Sequence, residues 1–177
     1  EMELIVTDHH LPSDTLPQAV AVIDPHREDC NLEFKDYAGV GVAYKLICAL
    51  EGEENGVTDS FADLVTIGTV ADVMPLIKEN RELVRRGVQL IADSDRMGIQ
   101  SLIEAAGLSE RRMTSTTVAF GICPRINAAG RMGSADRAIR LLLSEDYEEA
   151  NALAQEINDE NATRQQIEQE ILNQAVA

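Results

Sequence analysis

Two short, wholly apolar runs near the N-terminus constrain the fold of this chain most. Residues 4–7 and 19–23 are rich in β-branched side chains and lack the alternation of a half-exposed strand. Strands that are apolar on both faces are typical of a buried parallel sheet. After Asp36 the apolar residues recur at helical spacing instead. The sequence therefore predicts an α/β fold, with short parallel strands at the N-terminus packed by several helices.

The helical pattern predicts five helices and then a long final one. The five cover residues 39–50, 61–73, 80–92, 98–106 and 114–121. Ser144 is the predicted N-cap of the last helix, which at 1.5 Å per residue would extend roughly 50 Å. We expect residues 1–143 to be part of one domain and residues 144–177 to be a connecting helix that leads to a further domain. The alternative is a helix folded back on the core and broken near residues 158–161.

Charge is distributed unevenly along the chain. The net charge of −16 argues against a nucleic-acid partner, because phosphate binding depends on Lys and Arg. Residues 144–177 hold nine acids and one base, however, whereas residues 122–140 hold four arginines and one aspartate. A local anion site is therefore compatible with the acidic total.

Two further features indicate where the protein resides. No apolar stretch approaches the roughly 20 residues that span a bilayer, and no signal-peptide pattern opens the chain. Its three cysteines are far apart, which predicts reduced thiols. We therefore expect a cytoplasmic protein without membrane contact.

Asp8, His9 and His10 follow directly on the first predicted strand. Open α/β sheets place their chemistry at the C-terminal ends of strands, and a carboxylate with two imidazoles is a typical metal-binding set. A solvated turn is the alternative, because Asp favours turns and Pro12 disfavours helix at the preceding residue. These residues alone leave both interpretations open.

Asp72 lies at the predicted end of an apolar helix. Pro75 keeps Met74 out of helical conformation, so the helix should end just after Asp72. The negative end of the helix dipole disfavours a carboxylate there, and a bound cation would reverse that penalty. An exposed aspartate that simply ends the helix is the alternative.

Residues 123–133 form a candidate anion-binding loop. Arg125 and Arg131 flank Asn127, and the small residues 128–130 permit close approach of a ligand. The alternative is a solvated basic loop that pairs with the acidic C-terminal helix.

Taken together, these segments resemble the DHH phosphoesterases. The strand end at 6–10, the helix start at 39–46, the helix end at 69–76 and the segment 124–131 occur in the order found in that superfamily. The last of these, Pro-Arg-Ile-Asn-Ala-Ala-Gly-Arg, is similar to the RecJ-like branch of single-strand-specific 5′-to-3′ exonucleases.

The resemblance implies hydrolysis of single-stranded DNA from its 5′ end to mononucleotides in DNA repair and recombination, with two Mn²⁺ or Mg²⁺ ions as cofactors. It implies that His9 and Asp72 bind metal and that His10 faces the scissile phosphate. Asp8 would bind metal or orient His9. The residues implied to hold DNA phosphate are Arg125, Asn127 and Arg131, with Arg125 at the 5′ end. Other DNA-repair proteins are implied as further partners.

The sequence also departs from the RecJ-like pattern. It does not contain the upstream aspartate cluster or the second, DHHA1-type domain beyond the long helix, so we expect this stretch alone to be inactive and to bind Mn²⁺ weakly or not at all. Within the superfamily, an oligoribonuclease or a cyclic-dinucleotide phosphodiesterase is an alternative, as is a non-catalytic DHH scaffold. A dinucleotide-binding module is disfavoured. Its Gly-x-Gly-x-x-Gly fingerprint would begin with Gly39 and Gly41, but Tyr44 stands where the last glycine is required.

Overall fold

The computed structural model describes residues 2–51, 56–132 and 135–176, and the side chains of residues 131 and 132 lie outside that description. The chain divides into two compact units, Glu1–Leu90 and Ile91–Ala177. This division differs from the predicted boundary between residues 143 and 144, which concerned a longer protein and stays a prediction.

The described residues form an α/β structure with much more helix than strand. In chain order, the elements are β1 (Ile5–Thr7), β2 (Ala21–Ile23), α1 (Gly39–Glu51), α2 (Val57–Ala71), α3 (Lys78–Ala92), α4 (Met97–Ala105), α5 (Ser115–Thr117), a π-helical turn (Val118–Ile122), α6 (Cys123–Met132), α7 (Asp136–Leu143) and α8 (Tyr147–Val176). None of the described helices is both long enough and apolar enough to cross a membrane.

The first unit contains the two strands. They pair in parallel, with Ile5 opposite Ala21 and Thr7 opposite Ile23, and α1 packs against β1. The prediction of a parallel pair is confirmed, and among the described residues of this chain Ile5 of β1 is 52% exposed, so burial of the sheet on both faces stays a prediction. In the described part of the chain the sheet consists of these two strands.

The core of the first unit lies where α1, α2 and α3 meet. Its buried residues are Tyr44, Cys48, Val57, Val65 and Leu83. The burial of Cys48 matches its place on the apolar face of α1. At Gly87 an added Cβ would lie 2.1 Å from the carbonyl oxygen of Ala62, so α3 crosses α2 at a distance that only glycine permits.

The second unit is a set of helices around the N-terminal half of α8. This half packs against α4, α6 and α7, and its buried apolar residues are Ala150, Leu153, Ala154 and Ile157. The helix is continuous from Tyr147 to Val176, so the break considered near residues 158–161 does not occur. Beyond Asn161 the helix is largely exposed.

Two details at the ends of helices differ from the prediction. The backbone N–H of Glu149 donates to Asp146 Oδ1 at 2.7 Å, which makes Asp146 the N-cap of α8. Ser144, the predicted N-cap, instead ends α7. The helix α7 itself was not predicted.

The predicted anion-binding loop is helical. Residues 115–132 run through α5, the π-helical turn and α6, and Thr114 caps the start by accepting from the backbone of Thr117. Pro124 has no N–H to donate to the preceding turn, so the regular hydrogen-bond pattern cannot continue through it. The extra residue of the π-helical turn lies just before this proline. The expected loop at residues 123–133 was therefore wrong over its described length.

Candidate metal centre

Asp8 organises the chain where β1 ends. Its backbone N–H makes the last bond of the strand pair, to the carbonyl of Ile23 at 3.0 Å. Its Oδ1 atom accepts the backbone N–H groups of His9 at 2.7 Å and His10 at 3.2 Å. The same oxygen lies 2.8 Å from Nδ1 of the His10 ring. Asp8 therefore forms the turn that sequence reasoning considered and also fixes one imidazole.

This hydrogen-bonded pair has shifted acid–base properties. The hydrogen bond with His10, followed by the two backbone N–H groups, lowers the pKa of Asp8 to about 2. The pKa of His10 is raised, mainly by its hydrogen bond to Asp8 and by the negative charge of that carboxylate. At neutral pH Asp8 is therefore an anion, and His10 is held toward its cationic form.

His9 faces a different carboxylate. Its Nδ1 atom lies 3.5 Å from Oδ2 of Asp72, at the end of α2, and its side chain is 19% exposed. The other edge of the ring lies against the first residue of α1, because a Cβ added to Gly39 would be 3.3 Å from Cδ2 of His9. The absence of a side chain at Gly39 therefore permits this close approach of the ring.

The end of α2 places Asp72. Asp72 is the C-cap residue, as predicted. Beyond it, the backbone N–H of Val73 donates to Val70 and that of Met74 donates to Thr69, the hydrogen-bond pattern of a Schellman motif. Val73 takes φ 56°, a left-handed conformation that costs on the order of 1–3 kcal/mol for a residue other than glycine.

The two histidine rings lie closer together than expected. Neighbouring side chains of a strand point to opposite sides, so strand alternation continued through His9 and His10 would make the two rings diverge. Their ring centroids are instead 4.2 Å apart at an angle of 46°. The strand ends at Thr7, so the alternation does not extend to these residues. Ligand atoms of Asp8, His9 and His10 all lie within 4.8 Å of one another.

Asp24 is a residue that the sequence reasoning missed. It follows β2 directly, is only 5% exposed, and accepts the backbone N–H of His26 at 2.8 Å. Its charge contributes to the raised pKa of His10, after that of Asp72. Because β1 and β2 are parallel, their C-terminal ends share one edge of the sheet, and an aspartate just after the second strand was the available signal.

The donor atoms fit a divalent cation such as Mn²⁺ or Mg²⁺. Metal–ligand bonds of about 2.2 Å allow two donors on one ion to be at most about 4.4 Å apart, and the 3.5 Å between His9 and Asp72 satisfies this limit. Carboxylate oxygens suit Mn²⁺ and Mg²⁺, and imidazole is a ligand for divalent transition metals. Asp8 Oδ1 already receives three hydrogen bonds and contacts the ring of His10, not that of His9. Its contacts favour orientation of His10.

The three residues predicted to hold phosphate differ from one another. Arg125 is partly buried: Nε donates to Oδ1 of Asn158 at 2.9 Å and Nη1 donates to the carbonyl of Gly121 at 2.5 Å. Burial lowers its pKa. Asn127 is exposed on α6. The side chain of Arg131 lies outside the described residues.

Two other arginines of this basic stretch pair with α8. Arg137 binds Glu160, and Arg140 binds Glu149. The alternative of pairing with the acidic final helix was considered for residues 123–133, and these two arginines, which lie beyond that segment in α7, make such pairs.

Comparison with known proteins identifies a family. The model of the DHH family, N-terminal domain, matches residues 1–69, which include the Asp8-His9-His10 cluster. The single-stranded-DNA-specific exonuclease RecJ of Bacillus subtilis is 41% identical over 175 residues, which is 99% of this chain and 22% of that protein. The protein of the same name from Escherichia coli is 43% identical over 94% of this chain and 31% of that protein.

Solved structures give the same result. A crystal structure of exonuclease RecJ bound to manganese has a TM-score of 0.85 at 41% identity, covering 97% of this chain and 43% of that one. The structure of RecJ from Thermus thermophilus in complex with Mn²⁺ has a TM-score of 0.83 at 40% identity, covering 97% and 26%. The chain spans about a fifth to a third of the length of the two exonucleases from Bacillus subtilis and Escherichia coli.

Proposed function

Because this chain belongs to the DHH family, we propose that the protein carrying it hydrolyses single-stranded DNA from the 5′ end and releases mononucleotides, with Mn²⁺ or Mg²⁺ as cofactor. The observation that carries this proposal is the pairing of the His9 imidazole with the Asp72 carboxylate at 3.5 Å, beside the Asp8–His10 pair. The relatives from Bacillus subtilis and Escherichia coli are named as specific for single-stranded DNA, and the solved structures contain manganese or magnesium.

His9 and Asp72 are the residues that would hold a divalent ion, and Asp8 would join them through its other carboxylate oxygen, since the hydrogen bonds of the turn are made to Oδ1. When bound, two such ions supply Lewis-acid stabilisation of the phosphate and a water of lowered pKa. Further ligands would come from other parts of the longer protein. The 177 residues alone are therefore expected to be inactive and to bind Mn²⁺ weakly or not at all.

His10 has a separate task in this proposal. Asp8 holds the ring through Nδ1 and favours its cationic form, so the other ring nitrogen carries a proton that can be donated. That proton would hydrogen-bond a phosphate oxygen or be transferred to the leaving oxygen. Gly39 helps to position His9, because a residue without a side chain leaves room for the His9 ring at the start of α1.

Arg125, Asn127 and Arg131 are proposed to hold DNA phosphate, Arg125 at the 5′ end. The side chain of Asn127 is exposed, which supports its proposed contact with phosphate. To bind phosphate, Arg125 would have to exchange its hydrogen bond with Asn158 for one with the phosphate. Otherwise its role would be to stabilise α6, which carries Asn127. A cytoplasmic location and other DNA-repair proteins as partners remain part of the same proposal.

The test uses the full-length protein and single-stranded DNA labelled at either end. With Mn²⁺, we expect mononucleotides to appear first from the 5′ label, little cleavage of blunt duplex, and loss of activity in EDTA that Mn²⁺ restores. Short oligoribonucleotides and cyclic dinucleotides serve as competing substrates. Preferential cleavage of either over long single-stranded DNA would replace this proposal with another activity of the superfamily.

A further inference from the structure

Val73 combines three unusual properties. It directly follows Asp72, its backbone adopts φ 56°, and its side chain is 87% exposed. Left-handed conformation is rare for β-branched residues, because their Cβ substituents crowd the backbone. An exposed valine in this conformation therefore requires a physical reason.

The hydrogen bonds at the end of α2 explain the backbone but not the side chain. Donation from Val73 to Val70 and from Met74 to Thr69 requires a left-handed residue at position 73. Glycine meets this requirement without strain, and asparagine meets it with little. The geometry thus accounts for the positive φ, while the presence of valine needs a separate cause.

Packing within the described residues does not supply that cause. A buried valine could offset its strain by contacts with the core, but this side chain is almost fully exposed. Lys78, the other described residue besides glycine with a positive φ, is unbranched, and its side chain reaches Glu33 at 3.6 Å. Strain that brings no packing in return, one residue from a candidate metal ligand, points to a role in function.

We propose that the side chain of Val73 contacts the substrate, packing against the sugar and base of the nucleotide whose phosphate lies at the His9–Asp72 pair. This inference rests on the proposed function. The phosphate would bind to metal and accept hydrogen bonds from His10. The adjoining sugar carbons and the face of the base are apolar, and methyl groups can pack against them. The fixed φ and the restricted rotamers of valine hold these methyl groups in one place.

The experiment compares Val73→Gly, Val73→Asn and Val73→Ile in the full-length protein. Gly and Asn relieve the backbone strain and remove the two methyl groups, whereas Ile keeps the branched apolar side chain. We expect Val73→Gly and Val73→Asn to raise KM for single-stranded DNA about tenfold. We expect kcat to change little, because the lost contact is made in ground state and transition state alike. Their melting temperatures should equal or exceed that of the wild type, and Val73→Ile should keep the wild-type KM.

Two results would overturn the inference: an unchanged KM in Val73→Gly, or a lowered melting temperature, which would show that the side chain packs within the full-length protein. Fluorescence anisotropy of a labelled single strand in Ca²⁺ measures affinity without relying on cleavage. A wild type that binds the strand but does not cleave it contradicts the proposed function alone, and weaker binding by Val73→Gly would then still support the contact. A wild type that neither binds nor cleaves contradicts both.

Discussion

The cluster after β1 and the arginine-containing helix α6 were both predicted to meet phosphate, yet they are built in opposite ways. In the cluster, Asp8 satisfies the local backbone and leaves the rings of His9 and His10 at the surface or near it. In α6, the guanidinium of Arg125 is directed at Asn158 of α8 and at a backbone carbonyl. The cluster exposes its polar groups to a ligand, whereas the guanidinium of Arg125 makes hydrogen bonds within the protein.

The difference shows that a charged residue in a motif can serve the helix that carries it. Pro124 lacks an N–H, and the π-helical turn before it shifts the hydrogen-bond pattern where the chain enters α6. In this same region Nη1 of Arg125 donates to the carbonyl of Gly121 and Nε donates to Asn158. A phosphate-binding interpretation of Arg125 therefore has to include this structural contact.

The largest effect is expected from His9→Gln in the full-length protein. Loss of a metal ligand should reduce Mn²⁺-dependent nuclease activity by more than about 100-fold, since even partners of ligands contribute roughly 10- to 100-fold. The measurement is the initial rate on single-stranded DNA over a range of Mn²⁺ concentrations. His26→Gln is the matched control and should retain the wild-type rate. Equal rates for wild type and His9→Gln would exclude the metal role of this histidine.

Arg125→Gln tests the structural side of the comparison. The substitution removes a donor from the partly buried carbonyl of Gly121 and from Asn158, so the free energy of unfolding should fall by about 1–3 kcal/mol. Urea denaturation followed by circular dichroism measures this change. An unfolding midpoint equal to that of the wild type would mean that the two hydrogen bonds do not stabilise the fold.

Asn127→Ala provides the contrast on the same helix. Its side chain is exposed, so the free energy of unfolding should stay within about 0.5 kcal/mol of the wild type. Affinity for single-stranded DNA should fall by about 1 kcal/mol if the amide contacts phosphate. Fluorescence anisotropy in Ca²⁺ measures it, and unchanged affinity would remove Asn127 from the proposed interface.

Much of the fold could be predicted because local patterns determine it. The apolar strands, the helix beginning at Gly39 and the helix end at Asp72 follow from residue type and from Pro75. The helical state of residues 123–132 was missed because proline and glycine are typical of loops. Here Pro124 occupies the first turn of α6, directly after the π-helical turn, where a missing N–H is tolerated.

The site was predictable residue by residue but not in its internal contacts. Sequence order placed Asp8, His9 and His10 at a strand end, and the structure brings His9 to Asp72, which is far from it in sequence. Which imidazole Asp8 would contact depends on the turn after Thr7, and strand alternation gave the wrong geometry there. Asp24 was missed because its role depends on the pairing of two strands, a contact distant in sequence.

Asp8→Asn in the metal-free protein is expected to cause the smallest measured change, a shift in the titration of one imidazole, and it sharpens the assignment of roles within the cluster. The pKa of His10 is raised from 6.5 mainly by Asp8, so it should fall toward 6.5 in the variant. The free energy of unfolding of the wild type therefore depends on pH. The cationic ring contributes to stability below pH 6.5, and this contribution is lost as the pH rises through the raised pKa of His10. The Asp8 carboxylate contributes above pH 3.8 and loses its contribution as the pH falls toward about 2. Histidine-labelled, metal-free protein followed by NMR reports the ring titration, and a His10 midpoint that is the same in both proteins would show that Asp8 does not control this imidazole.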